Sequence, residues 1–229
     1  ADLGYYPSGA CAFVLSWNHI LLDAKGTTLL FEHLNQLSEN KSQNMDVFFP
    51  PKEKRHNIIA HIRNMFQVEK FVKISAKPPV SSVAFSATKS GNGKTSTKTI
   101  SFNADETKTI HENAQKAGSR FGPTLYLVAC CSHVIHNLNL QRNKPGDLWI
   151  PVPYDGRLRG ATGPVISNSV SFLFYRVPKT ELNTVPQTVK CLSHQMTEQI
   201  KDRIPQKYSM FLNMMRYAPL WLYYFLIYH

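Results

Sequence analysis

With 229 residues, 43% of them hydrophobic and 11% aromatic, the chain can bury one large core or two smaller ones, which excludes a disordered protein. Its four cysteines (Cys11, Cys130, Cys131, Cys191) form no CxxC pair and have no histidines at zinc-finger distances. Neither a disulfide framework nor a structural zinc site is therefore expected, and a reducing compartment is. The formal net charge of +11 is uneven: residues 51–100 hold ten Lys or Arg against Glu53 and Glu69, which suits an anionic membrane, a phosphorylated cofactor or plain solvent. No aromatic-interleaved basic motif of a nucleic-acid reader accompanies them.

The opening "ADLGYYPSGA" lacks a basic stretch followed by an apolar one, so no secretory signal is expected. After the Pro7-Ser8-Gly9 turn signal, residues 10–17 predict a buried strand. Residues 27–38 predict a helix with Leu30, Leu34 and Leu37 on one face, and residues 57–71 a second one through Ile58, Ile62, Met65 and Phe66, with Pro78-Pro79 beyond its end. Residues 81–98, dense in Ser, Thr, Gly and Lys, predict an exposed loop or a connection between lobes. "TISF" (99–102) predicts a short strand. Asn103 with Glu106 three residues on gives a capping-box start to a helix that stops at Gly118. Residues 122–138 predict a helix with Pro123 at its first position and an apolar majority that implies burial on most sides. "DLWIPVPYDGRLRG" and "SNSVSFLFYRV" predict strands, and residues 186–203 a helix with Val189, Leu192, Met196 and Ile200 on one side. The final "RYAPLWLYYFLIYH" is intensely aromatic but too short to span a bilayer; a core, a lipid surface or further protein would each suit it.

Several motifs carry less than they first suggest. "GNGKTS" (91–96) has the Gly-Lys-Thr of a phosphate loop, but Thr88 stands where the pattern needs glycine, so a flexible basic loop is expected. His133 and His136 could share a helix face as ligands, but no carboxylate or cysteine obviously completes the set, so satisfied or partly exposed helix histidines are expected, and Cys130-Cys131 reads as small apolar filling. Asn40-Lys41-Ser42 fits a glycosylation sequon of a kind common by chance.

"SWNHILLDAKG" (16–26) is different, because His19 and Asp23 interrupt an apolar run at a predicted strand-to-helix junction. Four residues apart they would be roughly 13 Å distant on a strand and about 6 Å on a helical turn, so the local turn decides whether they meet. On residue chemistry alone, a core histidine followed by an aspartate at a helix start explains the pair equally well.

"NHILLDAKG" resembles the HHxxxDG signature of the CoA-dependent acyltransferase superfamily, which includes chloramphenicol acetyltransferase, the condensation domains of peptide synthetases and the wax ester synthase/diacylglycerol acyltransferases. "IPVPYDGRLRGATGPVISNSVSFLFYRV" (150–177) is similar to a later segment of that family, and the capped helix, glycine and apolar helix between the two agree in order and spacing. Asn18 stands in place of the first histidine, and Ala24 in place of the glycine, leaving Gly26 to relieve the turn.

The resemblance implies an α/β fold of two lobes with mixed sheets, incomplete at both ends: residues 1–80 the end of the N-terminal lobe, 81–95 an inter-lobe loop and 96–229 the first part of the C-terminal lobe. It implies an acyltransferase in which His19 removes a proton from a hydroxyl or amine acceptor as that group attacks a thioester, with no acyl-enzyme. Asp23 would hold the histidine's loop through an arginine; Arg157 and Arg159 are available, with Arg157 and Asn168 also assigned to substrate binding. No cofactor is expected to be permanently bound; acyl-CoA is the expected co-substrate, with an acyl carrier protein as the other donor and a hydrophobic alcohol or amine as acceptor. The location implied is cytoplasmic, with a membrane surface as a further partner and no nucleic acid. A non-catalytic binding module of the same fold, and an unrelated basic scaffold, are the other classes left open.

Overall fold

A computed structural model describes residues 2–16, 22–39, 58–81, 97–157 and 166–215. Two compact units emerge, one drawn from residues 1–63, 153–171 and 208–229 and the other from 64–152 and 172–207.

In the first unit, strands β1 (Asp2–Tyr5) and β2 (Cys11–Val14) form an antiparallel hairpin, with Asp2 opposite Val14 and Tyr5 opposite Cys11. Gly9 takes the left-handed φ of +80° that the turn requires. The strand expected at residues 10–17 is thus present but short, and the burial expected of it is not found: Phe13 and Val14 are each 52% exposed. The hairpin has only two strands, and among the described residues its cover includes helix α1 (Ala24–Ser38), whose Phe31 meets Phe13 edge-on with ring centres 6.5 Å apart.

The second unit holds most of the core. Helix α2 (Ile58–Ser75) enters it at residue 64 and runs four residues beyond its expected end, closed where Ser75 Oγ donates to the Val72 carbonyl at 2.9 Å. Helix α3 (Ala104–Lys116) has the full capping box: Asn103 Oδ1 accepts from Glu106 N, and Glu106 Oε2 accepts from Asn103 N, both at 2.8 Å. The strand expected at "TISF" is absent. Residues 97–103 meet no partner strand among the described residues, and Ile100 and Phe102 are 68% and 58% exposed, so nothing completes a ladder there.

Helix α4 (Thr124–Gln141) packs on α5 (Val185–Lys201); Leu125, Ala129 and Ser132 are buried in the first and Val189 and Leu192 in the second. Burial on most sides of α4 was expected and only one face has it; Leu127, Cys131 and Val134 are exposed, so Cys131 does not act as core filling. The reason is that α5 covers one stripe and no described element covers the opposite one. All four cysteines are free. The helix expected over 186–203 is present as α5, which stops just before Arg203 at φ +54°, and a further helix, α6 (Ile204–Met215), begins there with Pro205 in its first turn.

Strands β3 (Leu148–Asp155) and β4 (Val170–Val177) pair with each other, and Trp149 stacks on Phe174 at 5.8 Å between ring centres. Two glutamines on α5 then bond the backbone of β4. Gln199 accepts from Phe174 N and donates to Phe174 O, both at 2.9 Å; Gln195 accepts from Arg176 N at 2.9 Å and donates to Arg176 O at 2.7 Å. One helical turn advances about 6 Å and two strand residues nearly 7 Å, so amides at i and i+4 on the helix meet residues at j and j+2 on the strand. Arg176 itself donates to Asp147 Oδ2 and to the carbonyls of Ser75 and Pro79, tying the end of β4 to the segment after α2.

Candidate active site

Asp23 is the N-cap of α1, with an extended backbone (φ −89°, ψ 176°) and a carboxylate turned back on the helix start. Oδ1 accepts from Gly26 N at 2.6 Å, the ordinary capping bond. The same carboxylate takes a bidentate guanidinium: Arg157 Nη2 donates to Oδ1 at 2.8 Å and Nη1 to Oδ2 at 3.1 Å, while Ser169 N donates to Oδ2 at 2.7 Å. Asp23 thus serves both as a helix-start aspartate and as the partner of an arginine. Four donors occupy its two oxygens, and it is 6% exposed.

The arginine is equally committed. Arg157 Nη1 also meets Asp155 Oδ1 at 2.9 Å, Nη2 meets the Ser167 carbonyl at 2.6 Å, and the side chain is 11% exposed. Gly156 N donates to Ser169 O at 2.8 Å, and the hydroxyls of Ser167 and Ser169 lie 2.9 Å apart. Residues 23–26, 155–157 and 167–169, distant in sequence, are therefore stitched into one turn cluster. Asn168 sits in that cluster, its Oδ1 accepting from Val170 N at 3.3 Å.

Burial alone would raise the Asp23 pKa, but the Arg157 hydrogen bond, the Gly26 and Ser169 amides and the Arg157 charge outweigh it and hold the carboxyl below its usual range. Burial likewise works against the Arg157 cation, and its bonds to Asp23 and Asp155 reverse the effect and raise its pKa. An ionised carboxylate with both oxygens bonded has little proton affinity at neutral pH, so the geometry suits Asp23 for fixing a turn and not for accepting a substrate proton.

Gly26 makes this close approach feasible. A Cβ on Gly26 would collide with the Ser167 carbonyl oxygen and press within 3.1 Å of Arg157 Nη2. The restriction is steric and tertiary, since Gly26 is helical. Gly26→Ala is expected to force the 167–169 segment away and lower stability by about 1–3 kcal/mol, read as a fall in the urea midpoint at unchanged slope; an unchanged midpoint would show that the cluster yields without cost.

His19 and Arg159 lie outside the described residues, as do the predicted basic loop at 91–96, the sequon at Asn40 and the aromatic segment at 216–229. His133 Nε2 lies 3.0 Å from Thr188 Oγ1, and that hydroxyl donates to Glu181 O at 2.6 Å, so the ring nitrogen is the donor. Among the described residues no group of three His, Cys, Asp or Glu is placed to hold a metal ion, and no helix is long and apolar enough to cross a membrane. In the basic stretch, Lys73 pairs with Glu69 at 2.7 Å on the exposed face of α2, a bond that solvent screens.

No protein-family model matches the chain, and no curated protein matches it. Solved structures do match, and they show a mixed helix and strand fold like that of part of a condensation domain, as the α/β reading of the sequence expected. One is the first condensation domain of the calcium-dependent antibiotic synthetase in complex with substrate analogue 3a, with a TM-score of 0.54 and 15% identity over 83% of this chain and 42% of that one. A second, from crystal structures of the first condensation domain of the CDA synthetase, has a TM-score of 0.53 and 16% identity over 80% and 41%. The chain thus spans less than half the length of the structures that it resembles.

Proposed function

We propose that this chain belongs to an acyl-transferring enzyme that moves an acyl group from a thioester to an amine or hydroxyl. The observation that carries the reading is Asp23: four residues after His19, it caps a helix and is saturated by Arg157 and two backbone amides, in a chain with the condensation-domain fold. In this reading His19 accepts the acceptor's proton as its oxygen or nitrogen bonds to the thioester carbon. The C–S bond then breaks, and the imidazolium returns the proton to the leaving thiolate, giving an ester or amide and a free thiol. Asp23 and Arg157 are positioning residues. Arg157 holds the turn, and with its guanidinium engaged by Asp23, Asp155 and Ser167 it does not serve as a substrate contact. Asn168, in the same cluster, positions substrate.

Acyl-CoA is the first donor to test. The likeness to condensation domains favours a second, an acyl group on a carrier protein's pantetheine thiol. The full protein, given either donor with a panel of hydrophobic alcohols and amines, is expected to release thiol in an acceptor-dependent way, one equivalent per ester or amide formed. Acyl-CoA turnover would assign the donor to CoA; turnover of carrier-bound acyl groups alone would assign it to the carrier. Acceptor-independent release would replace acyl transfer with thioester hydrolysis, and no release with either donor would replace the enzyme with a non-catalytic binding module.

A further inference from the structure

A cavity of about 260 Å³ opens at the end of α3, lined by His111, Ala114, Gln115, Ser119, Arg120 and Gly122. The turn beneath it is firmly built. Ser119, 3% exposed, donates from its hydroxyl to Gly122 O at 2.6 Å and from its amide to Ala114 O at 2.9 Å. Gly118 and Gly122 take φ of +88° and +90°, where a side chain would be strained.

This framework leaves three long polar side chains at the opening: His111 and Gln115, one helical turn apart on α3, and Arg120 from the turn. Among the described residues none of the three makes a side-chain hydrogen bond or ion pair, and no carboxylate lines the cavity. The donors are a guanidinium fork, a carboxamide NH₂ and an imidazole N–H. Such a set, free of opposing acids, is complementary to an oxyanion, and three donor groups match the three terminal oxygens of a phosphate monoester better than the two of a carboxylate. Drug-sized ligands occupy roughly 300–1,000 Å³, so a smaller cavity takes a small molecule or the phosphate end of a larger one.

We propose that the cavity formed by His111, Gln115 and Arg120 binds a phosphate monoester. The site uses no residue of the Asp23–Arg157 cluster, so it stands or falls independently of acyl transfer. Isothermal titration of the full chain at low ionic strength with glycerol 3-phosphate, inorganic phosphate and glycerol tests it. Saturable one-to-one binding of glycerol 3-phosphate is expected, with competition by inorganic phosphate, none by glycerol, and weakening as salt is added. Arg120→Ala and His111→Ala, both at exposed positions, should each weaken it about ten-fold or more, while Lys201→Ala at the exposed end of α5 leaves it unchanged. Amide shifts on titrating the wild-type protein should centre on residues 111–122, a readout that requires no variant to fold. No saturable binding, equal binding of glycerol, phosphate binding that excludes the monoester, indifference to Arg120→Ala, equal sensitivity to Lys201→Ala, or shifts centred elsewhere would each overturn the proposal.

Discussion

His19→Ala should lower acceptor-dependent thiol release by about 10²- to 10⁴-fold, the usual contribution of a positioned general base, and leave the melting temperature nearly unchanged. The effect should fall on kcat and on kcat/KM together, because proton removal belongs to the transition state and not to ground-state binding. The pH profile supplies a second readout: a neutral imidazole is the reactive form, so wild-type turnover should rise with pH as the base loses its proton, and the variant's residual rate should lose that limb. Wild-type turnover by the variant would remove His19 from the mechanism and leave Asp23 as a helix cap with an arginine partner. A large loss of melting temperature would instead mean that the histidine is a packed structural residue.

Asp23→Ala should behave in the opposite manner, lowering stability first and activity as a consequence. The substitution strands a guanidinium whose side chain is 11% exposed and removes the acceptor of the Gly26 and Ser169 amides. Breaking one partner of a buried pair typically costs about 3–5 kcal/mol; Arg157 retains Asp155 and Ser167 O, so the lower end, about 3 kcal/mol, is expected. Arg157→Ala should cost a similar amount, and the double variant less than the sum, since each single change already breaks the shared bonds. The acid dependence follows from the direction of the Asp23 shift. Its folded pKa lies below the unfolded one, so the stabilisation is fully present above the ordinary carboxylate range near pH 4. It is lost as pH falls, because the unfolded chain takes up the proton first, and it is gone once the lower folded pKa is passed. Urea midpoints measured from neutral pH downward should therefore decline more steeply below about pH 4 for the wild type than for Asp23→Asn. Parallel curves would show that the carboxylate is not held as described.

Local signals with a self-contained physical cause were read most closely from sequence. The Asn103–Glu106 capping box needs only residues three apart, and the left-handed stop at Gly118 needs only its own backbone. Asp23 was legible as a helix-start residue for the same reason. Its arginine was not chosen from sequence, because Arg157 lies 134 positions away and Arg159 stood beside it as an equal candidate. Gly26 was noted as a relief for the turn; its actual constraint, the approach of the Ser167 carbonyl, depends on tertiary placement. Burial was the poorest inference. Apolar runs at 10–17 and 122–138 predicted enclosure, but a run of apolar residues does not reveal whether a neighbour covers each face, and Val134 at 68% exposure has no described cover. Gln195 and Gln199 do not stand out in the sequence, since nothing in a helix period distinguishes a solvated amide from one bonded to a strand.

Those two glutamines also determine how the β3–β4 ribbon can grow. An unpaired strand edge is a template for any extended peptide, whether a neighbouring segment, a partner or a misfolded copy. Along Phe174 and Arg176 the template is occupied by side-chain amides that mimic the N–H and C=O of a third strand. Among the described residues a helix, and not a further strand, covers the β4 edge at Phe174 and Arg176.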